Sequence, residues 1–168
     1  MPVTSTTWRD CGDSSLVEPA PVTIPRSPGR AVLRLHQRIY LASRGRVGHR
    51  LLGVPCLLLW TTGRRSGAAR VAALIYLADS DRLVVVASNG GSPAPPEWLR
   101  NLQADPGAEV WVARRRWHVT ATILARGDAA YGELWRRVNE VNRGRYDRYQ
   151  ARTSRPIPLV VLAPSGAG

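Results

Sequence analysis

From Val54 onward the apolar positions fall into short runs broken by glycine, proline or charge, and their spacing switches between two and 3.6 residues. The runs at Pro55–Thr61, Val71–Leu77 and Arg82–Ser88 read as strands. Asp79-Ser80-Asp81 supplies the turn chemistry to close a hairpin between the last two. Glu109–Ala113 and Trp117–Leu124 form a second predicted hairpin, separated by Arg114, Arg115 and Arg116. Its second strand alternates, with Trp117, Val119, Ala121 and Ile123 on one face and His118, Thr120 and Thr122 on the other. A last strand, Leu159–Ala163, is entered through Pro156 and Pro158.

Helical spacing appears three times. Ser27-Pro28 offers a cap and a first-turn proline, and Val32, Leu35, Ile39 and Ala42 then predict a helix over Pro28–Ser43, with Arg30, Arg34 and Arg38 opposite the apolar stripe. A helix over Pro95–Ala104 starts with prolines and stops before Pro106, with Trp98, Leu99 and Leu102 as its buried side. Tyr131, Leu134, Trp135, Val138 and Val141 predict a helix over Asp128–Val141, with Glu133 and Arg137 spaced for an i,i+4 pair. Arg143–Gln150 reads as a polar helical turn over the barrel mouth. Short antiparallel strands wrapped by three helices predict a small β-barrel of the mainly-β or α+β class. The proline-bearing stretch before Ser27 reads as a disordered leader, so the expected organisation is a leader at 1–27, one domain at 28–164 and a tail at 165–168.

Composition changes the picture in one respect. The 168 residues carry a formal charge of +12, and every lysine-or-arginine position is arginine. Such a field attracts polyanions, which brings nucleic acid, anionic lipid and phosphate-bearing cofactors into view. The lack of lysine and phenylalanine beside abundant Arg, Ala, Gly and Pro points to base composition instead, and an arginine triplet at a hairpin tip is an ordinary guard against edge pairing. Nucleic acid is therefore not the expected partner. Cys11 and Cys56 have no disulfide or zinc spacing, and His36, His49 and His118 are scattered, so no metal is expected. No apolar run approaches the roughly 20 residues of a membrane helix, which makes a cytoplasmic location the default. The basic amphipathic helix at 28–43 allows peripheral membrane contact or simple packing on the barrel.

The candidate chemistry lies in two glycine-containing turns that follow apolar strands. The first carries Arg64, Arg65 and Arg70; the second is Ser88, Asn89, Gly90 and Gly91. Glycine lets backbone amides point into one concavity, and guanidinium groups bind phosphate or carboxylate in pairs, so the two turns suit one anion. A solvated hairpin tip is the alternative for the first turn. No nucleophile, base and orienting group fall together, nor does a carboxylate pair. A redox enzyme whose cofactor carries the chemistry needs only a shaped cavity, a phosphate anchor and a proton donor.

These residues resemble the deazaflavin-dependent nitroreductase family of the flavin/deazaflavin oxidoreductases. The matched pieces are TTGRRSG at Thr61–Gly67, Arg70 with Leu74 and Tyr76, VVVASNGG at Val84–Gly91, the helix with Pro96, Trp98 and Asn101, and YQARTSRPIPLVVLAP at Tyr149–Pro164. The resemblance implies a split β-barrel with peripheral helices that binds coenzyme F420 and passes hydride to an electron-poor small molecule such as a quinone, an enone or a nitro compound. Arg64, Arg65 and Arg70, with Val71 and the amides around Ser66 and Gly67, would hold phosphate and glutamate tail. Ser88, Asn89, Gly90, Gly91, Trp98 and Asn101 would border the rest. Tyr146 and Tyr149 match family tyrosines, and they are candidates for proton donation and acceptor positioning or for plain aromatic packing. Ala73, Asn89, Ile75 and Arg143 depart from the family's usual proline, lysine and two tyrosines, so nitroreductase activity is not carried over. FMN in place of F420, and a nonenzymatic basic module, remain alternatives, as do monomer and homodimer.

Overall fold

The computed structural model describes residues 50–51 and 54–166. The expected leader at 1–27, the helix at 28–43 and most of the connector after it lie outside the described residues. Seven strands run in order: β1 (Arg50–Leu51), β2 (Val54–Thr62), β3 (Ala69–Asp79), β4 (Arg82–Val86), β5 (Gly107–Val112), β6 (Arg115–Leu124) and β7 (Leu159–Pro164). All pairings are antiparallel, in the order β1-β2-β3-β4-β7-β6-β5, and a further β2–β5 pairing closes β2 to β7 into a six-stranded barrel. Among the described residues the helices are α1 (Glu97–Ala104), α2 (Tyr131–Val141) and α3 (Arg145–Gln150). None of them is long and apolar enough to cross a membrane.

The strand periodicity follows from what covers each face. Leu57, Leu59, Val85, Val110, Val119, Val160 and Leu162 point into the barrel, where Trp98, Leu99 and Leu102 of α1 pack against them. Val84 and Val86 of β4 and Leu159 and Val161 of β7 point outward, beneath Tyr131, Leu134 and Val138 of α2 and Tyr146 of α3. Strands covered on both sides read as unbroken apolar runs, whereas β6, with one wet face, alternates. Truncating an interior leucine such as Leu59, which is fully buried, costs about 2–5 kcal/mol.

Three local expectations need correction. The arginine triplet does not form the tip of the β5–β6 hairpin: the register Val112↔Arg115 leaves only Ala113 and Arg114 in the turn, with Ala113 at φ 53°. Arg116 lies on the barrel wall instead, 2.8 Å from Glu109 and over the Trp111 ring. Helix α2 begins at Tyr131, three residues later than expected, because Asp128 accepts from the Ala125 and Tyr131 amides and closes a turn ahead of it. The Glu133–Arg137 pair gives way to a longer-range one, since Arg137 reaches across to Asp79 at 2.7 Å, and the i,i+4 pair on α2 is Arg136–Glu140.

Candidate functional site

The end of β2, the start of β3, the end of β4 and the start of β7 all face one end of the barrel, as the antiparallel registers Thr62↔Ala69, Tyr76↔Val85 and Val86↔Leu159 require. Both glycine turns therefore lie at that end. In the first, the Gly63 amide bonds the Ala68 carbonyl at 2.8 Å and the Gly67 amide bonds the Gly63 carbonyl at 2.7 Å. Gly63 has no room for a side chain, because a Cβ there would come 2.9 Å from the Ala68 carbonyl oxygen. Arg65, Ser66 and Gly67 are exposed, and the Arg70 guanidinium lies 3.4 Å from the Ser66 hydroxyl. Val71 lies on the barrel exterior against Leu58 and Ala73.

Helix α1 holds this turn. The Asn101 side chain is buried; its amide donates to the Thr61 hydroxyl at 3.1 Å, and its oxygen accepts from the Arg64 backbone and guanidinium at 3.3 Å each. Arg64 also bonds Glu97 at 2.7 Å, and that bond holds the Glu97 carboxyl below its usual range. Trp98 packs in the barrel core. Asn101 thus stands behind the arginine turn and supports it, while Trp98 anchors α1 in the core.

The second turn is a tight left-handed curl, with Asn89, Gly90 and Gly91 at φ 48°, 67° and 82°. Gly91 is buried against α3, where a Cβ would lie 2.7 Å from the Tyr149 carbonyl oxygen. Asn89 ties its side chain to the Ala94 carbonyl at 2.9 Å. Beneath the curl lies a residue that the sequence did not single out. Arg155, in the connection from α3 to β7, points Nη2 at the carbonyls of Ala87, Ser88 and Ser92, at 3.2 to 3.4 Å. A basic residue whose partners are distant carbonyls leaves no signal in sequence spacing.

Tyr146 and Tyr149 meet edge-on, ring centres 6.3 Å apart. Tyr149 is half-buried beside Gly91, whereas Tyr146 is buried, and burial pushes its phenol well above the usual range. Tyr146 and Ile75 line one narrow apolar crevice, too tight to admit a water molecule, with Val84, Val86 and Val138. Arg143, at φ 54°, falls elsewhere, in an open depression of about 450 Å³ with Trp135 and Asp147. Neither hollow is lined by the anchor arginines, of which Arg65 is exposed and Arg64 and Arg70 are half-buried. Among the described residues no cluster of histidine, cysteine or carboxylate suits a metal.

An exposed arginine, a glycine curl and amides at one end of the barrel, with an uncompensated guanidinium behind them, fit an anionic cofactor bearing a phosphate and carboxylates. The family model for F420H(2)-dependent quinone reductases matches residues 32–164. An F420H(2)-dependent quinone reductase of Mycobacterium tuberculosis (strain H37Rv) is 47% identical over 140 residues, covering 83% of this chain and 94% of that protein. Among solved structures, an F420-H2 dependent reductase, FDR-A, superposes with a TM-score of 0.58 at 30% identity, covering 64% of this chain and 93% of the other. A structure described as a domain-swapped dimer superposes at 0.61, also at 30% identity, covering 81% and 99%. A heme storage protein of Vibrio cholerae shares the fold alone, at TM-score 0.53 and 15% identity over 80% of this chain and 92% of that one. With the split barrel, the sequence match and F420 rather than FMN as the shared cofactor, this chain belongs to the F420H(2)-dependent quinone reductase family of oxidoreductases.

Proposed function

We propose that this chain reduces a quinone at the barrel end where the two glycine turns meet, and that residues 28–164 form the catalytic unit. The placement of the arginine turn and the left-handed curl toward the same end of the barrel carries this reading. When bound, reduced F420 supplies the hydride, two electrons at once, and becomes oxidised. Arg65, Arg70 and the Ser66 hydroxyl would hold its phosphate and carboxylates, with Gly67 shaping the turn and Val71 at the strand edge; the Ser66 and Gly67 amides are taken by the Gly63 carbonyl. Arg64 adds its charge at the rim, shared with Glu97. Asn101 acts from behind, fixing the turn, and Trp98 anchors α1, while Ser88, Asn89, Gly90 and Gly91 border the rest of the cofactor.

Tyr149 stands at the accessible edge and orients the acceptor. Tyr146 keeps its proton because burial disfavours phenolate, so it serves as a hydrogen-bond donor to an oxygen gaining charge. The reduced quinone then takes its second hydrogen as a proton from solvent. A quinone partitions into lipid, and peripheral contact through residues 28–43, whose sequence has the spacing of a basic amphipathic helix, would bring the enzyme to it; sedimentation with anionic vesicles tests that contact.

The decisive experiment is a fluorescence titration with F420 beside FMN at two salt concentrations, followed by turnover with menadione, a cyclic enone and a nitroaromatic. Saturable F420 binding, weak FMN binding and preference for the quinone are expected. Replacing Arg64 and Arg65 together by alanine should weaken F420 by about tenfold or more, since one hydrogen bond to a charged group is worth about 1.5–3 kcal/mol. Unchanged affinity in that double variant would overturn the anchor.

A further inference from the structure

The guanidinium of Arg155 is bound on one side only. Nη2 gathers the carbonyls of Ala87, Ser88 and Ser92, while Nε and Nη1 are buried without a hydrogen-bonding partner. No carboxylate among the described residues lies within ion-pair distance of it. The backbone that carries it is fixed. Gln150 Nε2 donates to the Thr153 and Arg155 carbonyls at 3.1 and 3.0 Å, its Oε1 accepts from the Ile157 amide at 2.9 Å, and the Arg155 amide bonds the Thr153 hydroxyl at 3.2 Å. Arginine is therefore delivered to the curl by a stapled loop, not by a mobile arm.

Two physical consequences follow. In a trans peptide the carbonyl and the next amide lie in one plane and point in opposite directions, and no cis bond occurs among the described residues. Drawing the Ala87 and Ser88 carbonyls onto Arg155 hence turns the Ser88 and Asn89 amides away from it, toward the outer face of the curl. The same grip helps to hold the left-handed conformation of Asn89, a region that L residues other than asparagine and aspartate rarely adopt. The second consequence is electrostatic. A half-buried cation without a counter-ion is disfavoured by desolvation, and a negative group on the far side of the curl relieves that cost.

We propose that Arg155 is the positioning residue of the F420 site: it holds the Ala87, Ser88 and Ser92 carbonyls so that the curl presents amides to the cofactor, and lends that face its positive charge. This rests on the reading of Ser88–Gly91 as part of the cofactor site. Lysine keeps the charge but lacks the planar fork, and methionine keeps the bulk but lacks both.

The test uses the full chain with Arg155→Met and Arg155→Lys, and with the Arg64→Ala/Arg65→Ala double variant as a control. The measurements are F420 affinity by fluorescence at two salt concentrations, and KM and kcat for F420H2-dependent reduction of menadione. Arg155→Met should raise the Kd and the KM for F420 by about tenfold, on the scale of one hydrogen bond to a charged group, and flatten the salt dependence. Arg155→Lys should keep the salt dependence and lose about threefold in affinity. A residue serving the fold alone would lower the melting temperature and leave affinity and salt dependence where they were, and that result overturns the proposal. If Arg155→Met fails to fold, Arg155→Lys decides, and wild-type affinity there overturns it. If the control variant loses F420 while both Arg155 variants keep it, only this inference falls. If none of them loses affinity, the site reading falls with it.

Discussion

Gly91 and Tyr149 touch so closely that no side chain fits between them: a Cβ on Gly91 would lie 2.7 Å from the Tyr149 carbonyl oxygen and 3.2 Å from its Cα. The contact locks the glycine curl to the helix that carries both candidate tyrosines. Neighbouring Gly90 has a similar backbone, φ 67°, but open space around its would-be Cβ. Gly90→Ala should therefore cost about 1–2 kcal/mol from conformation alone. Gly91→Ala adds a backbone collision and should cost about 1–3 kcal/mol beyond that, with weaker F420 binding. Urea unfolding of both variants measures the difference, and equal losses would remove the wedge argument.

Asn101 joins Thr61 to the Arg64 turn through three hydrogen bonds. Replacing it by leucine leaves a buried hydroxyl and an amide without their partner, at about 1–3 kcal/mol. F420 affinity should fall with stability, because the turn loses its support. Wild-type affinity in a destabilised Asn101→Leu protein would separate the turn from the cofactor.

Asp79 takes Arg137 at one oxygen and Arg82 at the other, each at 2.7 Å, and the Arg137 bond holds its carboxyl below the usual range. A depressed carboxylate contributes stability that is complete above its unfolded pKa, near 3.9, and is lost as pH falls through the lower folded value. The gap in unfolding free energy between wild type and Asp79→Asn should stay constant above about pH 5 and shrink below pH 4. Melts from pH 3 to 7 test it; a gap that grows on acidification contradicts the assignment.

Tyr146 carries the opposite shift. Its buried phenol ionises later in the folded chain than in the unfolded one, so above about pH 10 the unfolded state sheds its proton first and stability falls as pH rises. Tyr146→Phe should flatten that alkaline limb. If the hydroxyl supports the developing charge, kcat should drop by about tenfold or more with KM for F420 little changed. An unaltered kcat would return Tyr146 to packing.

Much of this was legible in the sequence, for reasons that can be traced to particular strands. The alternation of β6 is the direct record of one wet face, and the unbroken VVV of β4 records a strand buried on both sides. Both glycine turns announced themselves because left-handed backbone restricts residue choice. What stayed hidden was long-range pairing. Glu133 looked like the partner of Arg137 by spacing, yet Asp79, 58 residues away, takes it. Arg155 bonds carbonyls 63 to 68 residues distant, and carbonyls have no residue type to read. Asn101 and Trp98 stand on the buried face of α1, and the bonds that tie Asn101 to Thr61 and Arg64 had no signal in sequence spacing.

The register of β3 has a mechanical corollary. Its residues 69–75 pair with β2 and its residues 76–79 with β4, so no residue of β3 is bonded on both flanks and the wall is split there. Among the strands, the start of β3 hangs on β2 alone, and the arginine turn with it. The two bonds of Asn101 to Thr61 and to the Arg64 amide thus do for that turn what a second strand would do, which makes α1 its buttress.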